Sequence, residues 1–251
     1  AGVGTLMIAD PDVVELSNLQ RQVLFSADMV GQNKAQAAVR RLQACNSNLH
    51  FISIAYRVDE SWLKTMPSVD VVVDATDNLV TRYALNHACR ERAIPLVSAS
   101  VLQTQAQLSV FNYQSGPCYQ CLYPCPPPLD TVPSCATAGV MGVTPGVIGV
   151  LQANEVIKIL LGSPDVLSGQ LLTMNLQTLA VELCEINRQS TCHRNGCSKT
   201  EVQFESTQSD QIPEVDCDTV LQWQHEGREL HWLDVREDYE RAITAIPSQH
   251  L

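Results

Sequence analysis

Apolar and polar positions along the first half of the chain predict strands that alternate with helices. Short apolar or alternating runs of strand length lie at residues 6–9, 50–56, 69–74 and 95–99, and helical spacing of apolar residues lies at 34–44, 62–64 and 81–92. The run at 69–74 is rich in valine, which is typical of a parallel strand buried on both faces. This alternation predicts an α/β fold with a doubly wound, mostly parallel sheet.

The pattern changes in the second half of the chain. Strand alternation at residues 107–113 predicts that an antiparallel extension of the sheet starts there. A long apolar helix is predicted at residues 146–161, and residues 170–186 are predicted to form a hairpin. We therefore expect one α/β domain whose C-terminal third is antiparallel.

The composition shifts again near residue 199, where Glu, Ser, Thr, Gln and Asp replace most apolar residues. This shift predicts a linker over residues 199–212. The predicted domains are residues 1–198 before the linker and residues 213–251 after it. In the second part, a helix is predicted at 218–225 and a strand at 229–235.

The formal net charge of −11 argues against binding to nucleic acid, which favours a basic protein surface. The apolar run at 148–161 is interrupted by Gln152, Glu155 and Lys158, so we expect no membrane span. The N-terminus lacks the basic start and cleavable apolar core of a secretory signal. These features predict a cytoplasmic protein, in which closely paired cysteines indicate metal binding rather than disulfides.

The first predicted strand ends in an acid, and three polar side chains follow it. Asp10, at the C-terminal tip of a parallel strand, is placed to hydrogen-bond the ribose of a nucleotide. Asn18, Arg21 and Lys34 supply an amide, a planar bidentate cation and a compact cation. Such groups suit a triphosphate and the negative charge that develops on phosphorus. Each residue alone could equally be a helix cap or a solvated surface charge.

The order of these residues is more informative than any one of them. The string SNLQRQ at 17–22, followed by VGQNKA at 30–35, resembles the nucleotide-site signature of the ubiquitin-activating-type adenylyltransferases of the MoeB/ThiF group. The resemblance implies a Rossmann-like fold of the ubiquitin-activating type, ATP as a substrate and a homodimer.

A nucleotide-binding α/β unit begins with a strand and a Gly-rich loop that holds phosphates. The first residues of this chain, 1–4, instead resemble the end of a helix and its glycine turn. We therefore expect a fragment that begins inside the first crossover.

A second strand-end motif, DATDN, occupies residues 74–78. Carboxylates at this position face the crevice where an α/β sheet binds its ligand, and a carboxylate oxygen near a triphosphate is a natural Mg²⁺ ligand. Asp77 could alternatively cap the helix that follows. The resemblance implies that Asp77 positions the metal, with Asn78 beside it in the nucleotide site.

Two cysteine pairs predict a metal site. Cys118 and Cys121 form a CxxC knuckle, which is typical of Zn²⁺ binding but also occurs in redox motifs. Cys192 and Cys197 offer the second pair of a closed, structural four-thiolate site with no catalytic role. Their spacing is longer than in the family, where the second pair is also CxxC. Two other side chains could therefore replace a ligand: Cys125 and His193.

Cys135 lies among turn residues before a Gly-rich passage into a helix, a setting that suits a thiol on a mobile loop near a nucleotide site. The resemblance implies that it is a candidate for a covalent link to the protein substrate. The alternative is an ordinary packed or exposed thiol.

The end of the chain resembles the opening of a rhodanese (sulfurtransferase) domain, through the string LDVRE at 233–237 and AIP at 245–247. About forty residues are too few for a stable domain of this kind. The loop with the sulfur-accepting cysteine would lie beyond Leu251, so no persulfide chemistry is assigned to this segment.

Together, the resemblances imply an adenylyltransferase reaction. The C-terminal glycine carboxylate of a ubiquitin-like sulfur-carrier protein attacks the α-phosphorus of ATP, and the rhodanese domain of the full-length protein then supplies sulfur, with a cysteine desulfurase as a possible donor. This pairing favours a carrier that serves molybdenum cofactor biosynthesis or tRNA thiolation.

Two other functions compete with this interpretation. A catalytically incompetent fragment could act only in carrier docking or dimerisation, because the Gly-rich loop is missing from the sequence. An NAD-dependent oxidoreductase would share the sheet and Asp10, but it does not explain Arg21, Lys34 or the paired cysteines.

Overall fold

Strands and helices alternate in the computed structural model, which describes residues 3–127, 139–192 and 197, and then residues 215, 217–228 and 230. The chain divides into two compact units, Ala1–Phe204 and Glu205–Leu251. The division falls inside the predicted linker at 199–212, which itself lies outside the described residues. The two units are described separately below.

The elements of the first unit follow the predicted order. The strands are β1 Thr5–Ala9, β2 His50–Ile54, β3 Val72–Asp74, β4 Leu96–Leu102, β5 Gln105–Phe111, β6 Gln170–Asn175 and β7 Ala180–Glu185. The helices are α1 Lys34–Cys45, α2 Glu60–Thr65, α3 Leu79–Arg92, α4 Tyr119–Leu122 and α5 Val143–Leu160, and two 3-10 turns lie at Leu16–Asn18 and Ala27–Met29. These bounds confirm the predicted elements, except that β3 is shorter than the predicted run at 69–74.

The described strands form two sheets. β1 and β2 are a parallel pair, and the second sheet has the order β3-β4-β5-β6-β7. Only β3 and β4 run parallel in the second sheet, since β5, β6 and β7 are each antiparallel to the strand before them. The predicted antiparallel extension is confirmed, but the prediction that the sheet is mostly parallel is wrong for the described residues, because one of the four strand pairs in the second sheet is parallel.

The connection between β4 and β5 explains the change of direction. Only Gln103 and Thr104 separate the two strands, and a parallel partner would need a crossover of a dozen residues or more. Gln103 has a φ of 53°, the left-handed conformation that tight hairpin turns use. The antiparallel extension thus starts two residues earlier than the predicted strand at 107–113.

The two faces of β4 and β5 differ in character. Val97, Ala106, Leu108 and Val110 are buried on one face, where Ile148 of α5 packs against them. Serines and a glutamine alternate with these residues and point to the other face, because successive side chains of a strand point to opposite sides. This polar face belongs to the site described below.

Among the described helices, α5 alone has a length and hydropathy that would allow it to cross a membrane. Its polar side chains are engaged within the domain, however. Gln152 Nε2 donates to the backbone oxygen of Asp74 over 2.9 Å, and Glu155 Oε2 accepts from Leu167 N over 2.9 Å. These contacts dock α5 on the second sheet.

In the second unit, the structure describes one helix, α6, at Cys217–His225. It confirms the helix predicted at 218–225. The strand predicted at 229–235 lies almost wholly outside the described residues. In this unit the guanidinium carbon of Arg228 lies 5.3 Å from the ring centroid of Trp223.

Candidate functional site

Asp10 follows β1 directly and is held by two backbone contacts. Its N–H donates to Ile54 O over 3.1 Å, which continues the pairing with β2, and its Oδ1 accepts from Asp12 N over 2.9 Å. Burial raises the pKa of Asp10, and the charge of Asp77 adds to this rise, while the hydrogen bond from Asp12 and the charge of Lys34 oppose it. The charges of Lys34 and Asp77 therefore act on Asp10 in opposite directions.

Lys34 is the first residue of α1 and lies mostly under the surface. Its Nζ contacts Asp12 Oδ2 at 3.1 Å, and its side chain is 11% exposed against 61% for that of Asp12. A solvated carboxylate is a weak, exchangeable partner for an ammonium group. Lys34 is thus held beside Asp10 while remaining able to bind an incoming anion.

Asn33 connects β1 to α1, a role that the sequence analysis did not assign. Its Oδ1 caps α1 by accepting from Gln36 N over 3.1 Å. Its Nδ2 donates to the backbone oxygens of Asp10 at 3.0 Å and Asp12 at 3.1 Å. The signal for this residue was its place directly before a helix, where Asn is a preferred N-cap.

Asn18 and Arg21 lie in the loop that starts at the first 3-10 turn. Asn18 is buried, and its Oδ1 has no hydrogen-bond partner among the described residues. Arg21 Nη1 donates to Ser17 O over 3.3 Å. Within the described part of the chain, neither side chain forms a hydrogen bond or ion pair with Asp10, Lys34 or Asp77.

The loop of Asn18 and Arg21 packs closely against the start of α5. A Cβ atom at Gly142, the N-cap residue of α5, would overlap the backbone oxygen of Gln20. Only glycine allows this approach without a shift of the loop. Gly142 therefore fixes how near Arg21 lies to the second sheet.

Asp77 and Asn78 follow β3, and the structure separates their roles. Asp77 is exposed. Asn78 is the N-cap of α3, because its Oδ1 accepts from Thr81 N over 2.9 Å. The alternative in which Asp77 caps this helix is wrong. The exposed carboxylate of Asp77 is therefore available to bind a ligand. The predicted role of Asn78 in nucleotide binding stays a prediction, since its side-chain oxygen already serves the helix.

A buried ion pair anchors this loop, and neither partner had been assigned a role from sequence. Asp74 Oδ2 accepts from Arg82 Nε over 2.8 Å and from Ser98 Oγ over 2.7 Å, and Asp74 is fully buried. Arg82 Nη2 also donates to Thr76 O at 2.7 Å and Ala99 O at 3.1 Å. Burial acts to lower the pKa of Arg82, but the charges of Asp74 and Tyr119 and the hydrogen bonds to both together outweigh it, and the pKa is raised.

A cavity of about 190 Å³ lies between α3 and the polar face of β4 and β5. Arg82 and Tyr119 line one wall, and Ser100 and Gln107 belong to the other. Tyr123 OH donates to Gln107 Oε1 over 2.9 Å and closes one side. Because Arg82 also contacts the loop before Asp77, the cavity is adjacent to the strand-end site.

The four predicted cysteines come together away from the strand ends. The sulfur atoms of Cys118, Cys121, Cys192 and Cys197 all lie within 4.8 Å of one another and are buried. The Cys121–Cys197 and Cys121–Cys118 distances are 3.6 and 3.9 Å. A tetrahedron with metal–sulfur bonds of about 2.3 Å has edges of about 3.8 Å, so the thiols fit one tetrahedral ion.

The thiols of the cluster shift one another's pKa values in opposite directions. Hydrogen bonds from neighbouring thiols, that of Cys121 first, lower the pKa of Cys118 to about 4, whereas the hydrogen bond to Cys118 raises the pKa of Cys121 and burial raises the pKa of Cys197. Cys125, one possible substitute ligand, is exposed and is not part of the cluster. His193 and Cys135 lie outside the described residues, so the predictions for both stay predictions.

The fold and the strand-end acids define an α/β domain with a ligand crevice at the carboxyl ends of its parallel strands. Residues 1–194 match the ThiF family, and the chain belongs to that family. The resemblance to the MoeB/ThiF group is thereby confirmed.

Several relatives are similar over the same region. The "Adenylyltransferase and sulfurtransferase MOCS3" of Aedes aegypti is 49% identical over 173 residues, which cover 68% of this chain and 40% of that protein. The "SAMP-activating enzyme E1" of Haloferax volcanii is 42% identical over 192 residues, 76% of this chain and 71% of that protein. The chain thus spans less than half the length of the MOCS3 relatives that it matches.

The fold also matches solved structures of E. coli MccB. The complex with ATP has a TM-score of 0.64 at 25% identity and covers 78% of this chain and 60% of that one. The complex with MccA-N7isoASN has a TM-score of 0.68 at 23% identity over 78% and 61% of the two chains. The second likeness concerns the fold alone.

Proposed function

We propose that this chain carries the adenylating site of an enzyme that uses ATP to activate the C-terminal glycine of a ubiquitin-like sulfur-carrier protein. The observation that carries the proposal is that Asp10 directly follows β1 and the Asp77 loop follows β3, because an α/β sheet binds its ligand at the carboxyl ends of its strands. The names of the MOCS3 and SAMP-activating relatives support it.

The proposed reaction is one displacement at phosphorus. A carboxylate oxygen of the carrier forms a bond to the α-phosphorus, and the bond from that phosphorus to the bridging oxygen breaks. Pyrophosphate leaves with the electron pair, and the carrier becomes an acyl-adenylate. The attacking carboxylate is already ionised at neutral pH, so no general base is needed. Catalysis then rests on positioning and on charge neutralisation.

Each polar residue takes a role that its setting allows. Asp10 binds the ribose, and Lys34 exchanges the exposed Asp12 carboxylate for a phosphate oxygen. Asn18 and Arg21 bind phosphates from the neighbouring loop.

Asp77 is the proposed Mg²⁺ ligand. It is the exposed acid of the DATDN loop. Arg82, which pairs with the buried Asp74, also donates to the backbone oxygen of Thr76 and so holds the loop just before Asp77. Carboxylate oxygens are typical Mg²⁺ ligands beside phosphates. The ion would supply charge neutralisation on the phosphates.

The four-cysteine cluster is the proposed Zn²⁺ site. All four ligands are supplied by the chain, which leaves no open position for chemistry. The ion would join α4 to the segment after β7, and its role is structural.

Sulfur transfer belongs to the proposed full-length protein. The rhodanese resemblance of residues 213–251 supports a fused sulfurtransferase domain, with a cysteine desulfurase as donor and with molybdenum cofactor biosynthesis or tRNA thiolation as the pathway. A homodimer, a cytoplasmic location and a covalent link through Cys135 are further parts of this proposal.

The test is ATP–pyrophosphate exchange by the full-length protein with added carrier. The proposal predicts exchange that requires both Mg²⁺ and a carrier with its C-terminal glycine intact. A carrier that lacks this glycine is the matched control and should give none. Carrier binding without exchange would instead identify a docking or dimerisation module.

A further inference from the structure

Helix α3 presents two buried polar side chains, one turn apart, to the cysteine knuckle. Asn86 is 0% exposed and its Oδ1 accepts from Tyr119 N over 2.9 Å. Arg90 is 7% exposed, and its Nη1 donates to Gln120 Oε1 over 3.0 Å. The same Nη1 lies 3.9 Å from Cys118 Sγ. The guanidinium of Arg90 is therefore in contact with the thiol cluster.

No carboxylate in the described part of the chain forms an ion pair with Arg90. A guanidinium stays protonated in proteins, and a buried charge requires a compensating partner. Four thiolates around one divalent cation carry a net charge of about −2, which is the compensation that the described carboxylates do not provide.

Two buried hydrogen-bond donors without partners also favour metal-bound thiolates beside Arg90. Arg90 Nε and Asn86 Nδ2 are buried and have no partner among the described residues. Buried donors without partners are rare in native structures. Metal-bound sulfur accepts N–H hydrogen bonds, and outer groups that donate to ligands tune metal affinity.

We propose that Arg90 is a positioning residue of the zinc site, which donates to Cys118 Sγ and offsets the negative charge of the four thiolates. The inference rests on the proposed zinc site. Arg90 touches the ligand and not the metal, and it acts by stabilising the metal-bound form of Cys118. Loss of the guanidinium is therefore expected to speed release of the ion.

The test compares purified zinc-loaded variants of the protein. Arg90→Gln removes the charge, Arg90→Lys keeps the charge without the planar fork, and Arg92→Gln is the matched control on the same helix. Arg92 Nη1 donates to Met66 O over 2.8 Å, away from the cluster. Zinc transfer to a chromogenic chelator should be about tenfold faster in R90Q, intermediate in R90K and unchanged in R92Q.

Cobalt-substituted protein gives a second readout that a general loss of stability would not move. Removing a hydrogen bond from sulfur makes the thiolate a better electron donor, so the sulfur-to-cobalt absorption of R90Q should shift to longer wavelength. If R90Q does not fold, the R90K spectrum and release rate decide. Unchanged release and an unchanged spectrum would overturn the role of Arg90. Failure of the parent protein to bind zinc or cobalt would instead overturn the metal site itself.

Discussion

Asp74 at the end of β3 and Arg82 in α3 form a buried ion pair, with 2.8 Å between Arg82 Nε and Asp74 Oδ2. The pair encloses the loop that carries Asp77, because Arg82 also binds the backbone oxygen of Thr76. Arg82 thus holds the backbone just before Asp77, the proposed Mg²⁺ ligand, from the interior of the domain.

Replacing Arg82→Met is expected to lower the free energy of unfolding by about 3–5 kcal/mol, because it leaves the fully buried Asp74 carboxylate without its cation. Urea denaturation at neutral pH measures the change. The control is Lys64→Met, which breaks the exposed i,i+4 contact of 2.9 Å with Glu60 and should cost far less. Equal losses in the two variants would contradict the anchoring role of Arg82.

Lys34→Met is expected to lower kcat/KM for adenylate formation by roughly 10²–10³-fold, because one cation that stabilises charge on phosphorus is lost. Its present partner Asp12 is exposed, so the unfolding free energy should change little. Carrier-dependent ATP–pyrophosphate exchange measures the effect. Lys64→Met, a substitution of the same type at an exposed site, should leave the exchange rate unchanged.

Asp10→Asn is expected to weaken nucleotide binding by roughly tenfold, the loss of about 1.5 kcal/mol for a hydrogen bond to a charged group. It should also stabilise the free protein at neutral pH. The pKa of Asp10 is raised in the folded state, chiefly by burial, so its contribution to stability is present below pH 3.8 and is lost as the pH rises through the folded-state value.

The stability difference between Asp10→Asn and the parent should therefore be larger at pH 7 than at pH 4.5 in urea denaturation. Asp59 provides the opposite case, because its hydrogen bonds to Trp62 N and Ser61 lower its pKa. Asp59→Ala should be destabilising at pH 7, and the loss should shrink as the pH falls through the folded-state value. If D10N destabilises the free protein at pH 7, the effect assigned to burial of Asp10 is wrong.

The site illustrates what the sequence could and could not predict. Asp10 was found because it directly follows an apolar run of strand length, and Asp77 because it lies three residues beyond the end of another such run, a purely local pattern. The pairing of Asp74 with Arg82 could not be found in this way, since it depends on β4 placing Ser98 beside the same carboxylate. The antiparallel extension was predicted, but its start was placed two residues late because the short β4–β5 connection was not recognised as a tight turn.

The cysteine cluster was predicted despite its irregular spacing because cysteines have few other roles in a reducing compartment. The contact of Arg90 with it was not, since α3 is far from Cys118 in sequence and no local pattern relates them. Asn33 was part of the quoted signature but received no role. Its two donor contacts need β1 and α1 to be side by side, which only the fold provides.

Asn33→Asp separates the two functions of that residue. Aspartate keeps the oxygen that caps α1 but cannot donate to the backbone oxygens of Asp10 and Asp12, so α1 should persist while the strand tip loosens. We expect normal far-UV circular dichroism and weaker ATP binding. Asp59→Asn, which keeps the N-cap oxygen of α2 at a position outside the proposed nucleotide site, is the control and should bind ATP as the parent does.

Gly142→Ala tests whether the approach of the Arg21 loop to α5 matters. The added methyl group would overlap the backbone oxygen of Gln20, so the loop must shift, at a cost of about 1–3 kcal/mol in unfolding free energy. Gly149→Ala on the same helix is the matched control. Its methyl group meets no atom within 4 Å, and replacing a helical glycine by alanine should stabilise the protein by about 0.5–1 kcal/mol.

The two glycine variants should also differ in nucleotide binding. Displacement of the Gln20 backbone carries Arg21 with it, so Gly142→Ala should raise the Kd for ATP in an equilibrium binding measurement, while Gly149→Ala should not. The two substitutions are expected to change the unfolding free energy in opposite directions. A general effect of stability on ATP binding can therefore be distinguished from a local displacement of Arg21. If G142A binds ATP as tightly as G149A, the loop tolerates the shift and Arg21 is not positioned by its contact with α5.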